Sequence, residues 1–151
     1  EDVLELHMLR TRRLGHHAHV DVHILVSPKL SVSEGHHISE TVEKSLKDSF
    51  DQINDVTVHI DPEDDEEEAR SMHLPLRSDL INELRKEWSS IPELDAIDDI
   101  TLHYLKGKIS IEASMALEKV DDLELTKELQ TRFSSVSTKI PSVGRAILRF
   151  H

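Results

Sequence analysis

The sequence predicts an α+β fold made of two tandem small units, each of order αββαβ, with the first lacking its leading helix. Three observations carry this. Apolar alternation with period two recurs in short runs, helical stripes at i, i+4 fall between those runs, and the order of elements in one half repeats in the other. At 151 residues with 37% apolar content the chain can fill two modest cores.

Residues 2–13, "DVLELHMLRTRR", read as a strand. Gly15 and the two histidines after it make a turn, and "AHVDVHILV" over 18–26 returns with clean alternation until Pro28 ends it. Ser31 and Glu34 have capping-box spacing, and Ile38, Val42 and Leu46 form a helical apolar stripe. "DVTVHI" over 55–60 is the third strand. Seven acids in the eight residues from Asp61 to Glu68 repel one another and cannot bury a face, so a linker is expected.

The second half opens with a helix over 77–90 that puts Leu80, Leu84 and Trp88 on one side. Strands over 99–105 and 109–117 flank the turn Lys106-Gly107-Lys108. Asp121 or Asp122 should cap a helix bearing Leu125, Leu129 and Phe133, and "GRAILRF" over 144–150 closes the chain. The repeated order, with "LHMLR" at 6–10 set against "LHYLK" at 102–106, reads as a duplicated ferredoxin-like unit. The expected organisation is a first unit over 1–62, an acidic linker over 63–75 and a second unit over 76–151. The opening residues Val3 to Leu9 already look like part of a packed element, so a longer polypeptide is expected.

Net charge −12 argues against a nucleic-acid backbone as partner and is compatible with cations. With no cysteine, disulfides and thiolate metal sites are excluded. No stretch approaches the roughly 20 apolar residues that cross a bilayer. There is no Ser-His-Asp context and no glycine-rich phosphate loop, so neither an enzyme nor a small-molecule substrate is expected.

Histidine is the informative residue: there are eleven, most of them before residue 40. Alternation sets Val56, Val58 and Ile60 on one face and Thr57, His59 and Asp61 on the other. In the second strand Val20, Val22 and Ile24 face inward, leaving His19, Asp21 and His23 outside. In the first strand Leu4, Leu6 and Met8 form one set, and Glu5, His7 and Leu9 the other. His7, His23, His59 and Asp61 therefore share the face away from the helices. A solvated outer face also carries polar residues. Three histidines and an aspartate on adjacent strands favour a divalent cation: zinc first, with manganese, iron, cobalt or nickel compatible. His16, His17 and His19 fall at a hairpin tip, and His36 is left undecided by helix geometry. Leu9 and Leu25 on the outer face suggest a homodimer contact.

The ordered set "LHMLRTRRLG" (6–15), "VDVHILVSPKLSVSEGHHISETVE" (20–43) and "VTVHIDP" (56–62) resembles the cytoplasmic C-terminal domain of cation diffusion facilitators. The family pattern reads H-x-L-R-T-R-x-x-G, then a hydrophobic-x-x-H, a helix opening with His, and V-H-x-D-P. The resemblance covers about residues 2–62 and implies the cytoplasmic part of a membrane antiporter exchanging divalent metal, commonly zinc, for protons. It implies a homodimer attached to the transmembrane domain of the same transporter, with regulatory metal at the dimer interface. Its metal positions fall on His7, His23, His36, His59 and Asp61. In the second unit His103 is set against His7, Glu112 against His23, Leu123 against His36 and Arg149 near His59, so that unit is expected to be metal-free. The competing expectation is a metal-independent interaction or dimerisation module using the same sheet face.

Overall fold

A computed structural model describes residues 2–64, 71–119 and 123–151. The chain divides into two compact units, Glu1–Glu68 and Ala69–His151. Residues 65–70 of the expected acidic linker, and both aspartates proposed to cap the last helix, lie outside the described residues.

In the first unit β1 (Glu5–Leu14) and β2 (His17–Leu25) form an antiparallel hairpin, α1 (Val32–Ser49) crosses over, and β3 (Ile53–Asp61) pairs parallel to β2. The sheet order is β1-β2-β3. Gly15 turns the hairpin with φ 64°, a left-handed value that glycine adopts without cost. The capping box forms as its spacing requires: Ser31 Oγ accepts from the Glu34 amide, and the Glu34 carboxylate accepts from the Ser31 amide at 2.8 Å. These bonds hold the Glu34 carboxyl below its usual range, the backbone donor of Ser31 being the larger cause and its hydroxyl the second.

The core of this unit is one layer deep. Val20, Val22, Ile24, Val26 and Val56 are buried under the stripe Ile38, Val42 and Leu46. The i, i+4 spacing faces α1 to the sheet, and sheet alternation then sends His23 and His59 to the opposite side.

The second unit repeats the order with its leading helix present: α2 (Arg77–Trp88), β4 (Asp99–Leu105), β5 (Lys108–Met115), α3 (Leu123–Ser137) and β6 (Val143–Phe150). β4 and β5 are antiparallel, β5 and β6 parallel, in the order β4-β5-β6. Lys106 and Gly107 both take positive φ, 54° and 66°, in the two-residue turn between β4 and β5. Leu80, Leu84 and Trp88 from α2 and Leu129 and Phe133 from α3 are buried with Ile109, Ile111 and Met115 of the sheet. Trp88 Nε1 donates to Ser137 Oγ at 2.9 Å, giving that buried indole its partner. Leu74, assigned to the linker from sequence, packs on this core, so the second unit begins earlier than residue 76.

A candidate metal centre on the first unit

The ladder between β1 and β2 contains an irregularity that periodicity does not show. Leu6 pairs with Ile24 and Met8 with His23, so the register skips His7. Such a bulge sets two residues of one strand against one of its partner and re-aims their side chains. The expected set Leu4, Leu6 and Met8 is therefore broken. Leu6 takes the helix side with Ile24, whereas Met8 joins His23, Arg10, Thr57 and His59 around a shallow recess on the other face. Leu9 pairs with Val22 and so moves to the helix side, where it remains exposed. The sequence-based placement of Leu9 on the outer face is corrected by this one-residue shift.

His7 stays with the histidine face because of the bulge. Its Nε2 lies 2.9 Å from Asp61 Oδ2, and His23 Nδ1 lies 3.0 Å from the same oxygen. His59 Nε2 lies 3.0 Å from Asp61 Oδ1. The His7 and His23 rings meet edge to face with centroids 5.7 Å apart, and His23 stacks on His59 at 4.5 Å. Burial falls across the group: the side chains of Asp61 and His7 are 5% and 9% exposed, and that of His59 is 58% exposed. Asp61 is thus a buried carboxylate whose oxygens face three imidazoles.

Ionised, Asp61 only accepts, so each imidazole nitrogen hydrogen-bonded to it carries the proton when no cation is present. The same atoms fit a divalent ion. One donor atom each from His7, His23 and Asp61 lies within 4.8 Å of the others, the only such grouping of three among the described residues. Neutral imidazole and carboxylate are ligands for zinc and its neighbours, and three protein donors leave a further coordination position. His59 borders the group from the solvent side.

His36 is not brought to this group within one chain. It rides on the first turns of α1, which covers the helix side of the sheet, and its exposed ring lies 3.5 Å from Glu40 Oε1. It lines a separate apolar recess with Val26, Pro28, Leu30, Ile60 and Pro62. At the hairpin tip His19 lies 3.2 Å from Asp55. One acid that sequence reading left to the linker does approach the group: Asp64 Oδ1 is 3.6 Å from His7 Nδ1. The only sequence signal for it was position, three residues past Asp61.

Register also fixes the correspondence between units, moving Glu112 and His103 but keeping Arg149 against His59. Glu112, set against His23 from sequence, takes the place of Asp21 and pairs with Ile147, and Ser114 pairs with Arg149. In the first unit His23 pairs with His59 and Leu25 with Asp61. Counted from the shift that each parallel ladder carries, between Ala18 and His19 and between Ile109 and Ser110, Ser114 stands in the place of His23 and Arg149 in that of His59. β4 carries no bulge, and His103, opposite Ser110, takes the place of Arg12, which lies opposite His19. Arg149 donates to Glu112 from Nε and Nη2 at 3.2 and 3.0 Å, an internal ion pair on that sheet. The side chain of Leu123 lies outside the described residues.

Fold and site together define the first unit as a small ferredoxin-like α+β domain with a histidine–carboxylate cluster on its open sheet face. Residues 1–63 match the family model described as the cation efflux protein cytoplasmic domain, which is the resemblance drawn above from the motifs. Over 62 residues this chain is 40% identical to metal tolerance protein C1 of Arabidopsis thaliana, covering 41% of this chain and 13% of that protein. Over 64 residues it is 39% identical to the uncharacterized transporter YdbO of Bacillus subtilis (strain 168), covering 42% and 22%. The manganese efflux system protein MneP of the same bacterium is 26% identical over 62 residues, covering 41% and 21%. Each match thus takes in under a quarter of the relative's length. Among solved structures, MamM-CTD 215-293 matches with TM-score 0.40 and 26% identity over 41% of this chain and 78% of that one.

Proposed function

We propose that the first unit is a regulatory, dimerising domain of a divalent cation/proton antiporter, lying at the cytoplasmic face of the membrane beside that transporter's own transmembrane domain. In this reading His7, His23 and Asp61 hold the metal, His59 borders it, and occupancy favours a closed homodimer. The observation that carries it is the convergence of two imidazole nitrogens and a buried carboxylate from three strands on one point. The match of residues 1–63 to a cation-efflux cytoplasmic domain supports the transporter context. Two chains of net charge −12 repel, and a divalent ion bound where they meet offsets part of that repulsion. A switch follows if the ion binds the closed state more tightly than the open one. His36, out of reach within one chain, joins the ligands only when a second copy supplies it. Zinc is the first metal to try, because an imidazole–carboxylate set without thiolate suits it and excludes none of its neighbours.

The test is calorimetric titration of zinc and manganese into the wild type, His23→Ala and Asp61→Ala, with sedimentation velocity with and without metal. The expected result is one saturable site on the wild type, lost in both variants, and a shift toward dimer on addition of metal. No heat with the wild type would falsify the metal reading. One observation favours the alternative of a metal-independent module: the Asp61 carboxylate already has imidazole partners, so it is satisfied without an ion. A dimer whose population ignores metal would support that alternative.

A further inference from the structure

His7 has a second ring nitrogen that the metal reading does not use. Its Nδ1 is buried and lacks a hydrogen-bond partner, on a side chain only 9% exposed. The acid beside it is Asp64, with Oδ1 at 3.6 Å. We propose that Asp64 is the positioning residue of the metal centre: it accepts the Nδ1 proton of His7 once Nε2 is given to the cation. This rests on the metal-binding reading of His7, His23 and Asp61.

The argument is one of proton placement. A neutral imidazole carries one proton. With Nε2 against an Asp61 oxygen at 2.9 Å, that proton sits on Nε2 and makes the hydrogen bond. A cation needs the Nε2 lone pair, so on binding the proton belongs to Nδ1. The ring's charge is unchanged; only the nitrogen that holds the proton differs. Nδ1 is buried, and a buried N–H with no acceptor is penalised by its lost hydration. Shortening 3.6 Å to an ordinary bond of about 2.9 Å asks for less than an ångström of movement by a half-buried side chain. A ligating histidine whose other nitrogen donates to a carboxylate is held in one tautomer and one ring orientation. Asp64 lies where the acidic run leaves β3, so the centre also reaches into a segment whose composition otherwise suggests only solvation.

The experiment uses the whole chain with 15N-labelled histidine, zinc as the probe, and wild type, Asp64→Ala and Asp64→Asn compared by calorimetry and imidazole 1H–15N spectra. In the wild type, zinc should move the His7 proton from Nε2 to Nδ1 and slow its exchange with water. Asp64→Ala should bind zinc about 10- to 100-fold more weakly, with a fast-exchanging Nδ1 proton. Asp64→Asn keeps a carbonyl acceptor at similar reach and should recover most of the affinity and the slow exchange. Equal affinity in wild type and Asp64→Ala overturns the role of Asp64 and leaves the metal site standing. Equal losses in the Ala and Asn variants overturn it too, because they would mark a diffuse charge effect. Silence of all three chains toward zinc overturns the metal reading itself, and the role of Asp64 with it.

Discussion

His7 Nε2 lies 2.9 Å from Asp61 Oδ2, although 54 residues separate them and the β1–β2 register passes over His7. The bulge lets His7 and Met8 share the face of His23. Had β1 run without it, Met8 and His7 would take opposite faces, and only one could sit with His23. Removing Met8 erases the extra residue and sets His7 itself opposite His23, so zinc binding should survive, whereas removing His7 leaves Met8 in that place and should abolish zinc binding while the β1–β2 hairpin still forms. Calorimetry reads zinc binding and circular dichroism the hairpin.

Asp61 should matter to the fold as well as to metal. Asp61→Ala removes the acceptor shared by the His7 and His23 nitrogens, leaving a nearly buried imidazole N–H unpartnered. A buried donor stripped of its acceptor costs about 1–3 kcal/mol. The expected outcome is a loss of that order for the first unit in metal-free urea denaturation. Asp61→Asn, which keeps one acceptor oxygen, should lose less. If Asp61→Ala unfolds at wild-type urea concentrations, the cluster contributes nothing without metal.

The capping box of α1 gives a pH dependence with a defined sign. The Glu34 carboxyl is held below its usual range by the Ser31 amide first and the Ser31 hydroxyl second. Its contribution is therefore complete above the ordinary glutamate range and is lost as pH falls through the lowered folded-state value. Glu34→Gln should flatten that acid limb of the stability curve. Ser31→Ala should cost about 1 kcal/mol at neutral pH, since it removes the cap's own oxygen. A wild-type acid limb retained in Glu34→Gln would rule the capping box out as its source.

Trp88 is the single tryptophan and sits in the core of the second unit, so its fluorescence reports that unit. Phe133 is fully buried with its ring 5.3 Å from that of Trp88. Phe133→Ala should destabilise the fluorescence-detected transition by about 3–5 kcal/mol, the range for deleting a buried aromatic ring. Zinc affinity, which resides in the first unit, should stay within twofold. A parallel loss of affinity would show that the two units are energetically coupled.

Much of this was legible in the sequence because it depends on periodicity. Stripes such as Ile38/Val42/Leu46 and Leu80/Leu84/Trp88 need one buried face, and alternation in β2 and β3 carried His23 and His59 to the other. What periodicity cannot carry is a change of phase. The bulge at His7 moved Met8 and Leu9 to new faces, which no local pattern in β1 shows. His36 escaped for another reason: its motif position says nothing about which side of the sheet its helix covers. Asp64 was hidden by composition, since a ligand-proximal acid looks like its neighbours inside an acidic run.

Arg149 occupies the place of His59 in the second sheet, which suggests an obvious change and a reason for that change to fail. Arg149→Asp would set a second carboxylate beside Glu112, and composition alone would then favour a second cation site. The geometry does not. β4 has no bulge to bring a histidine beside residue 149, and His103 is held opposite Ser110 on the register of Arg12. Arg149→Asp should therefore leave the zinc stoichiometry of the chain unchanged. It should destabilise the second unit only modestly, because the Glu112–Arg149 pair is solvent-facing and such pairs contribute about 0–1 kcal/mol. Titration of zinc into the variant decides the point: a second equivalent bound would mean that carboxylates on a flat sheet suffice.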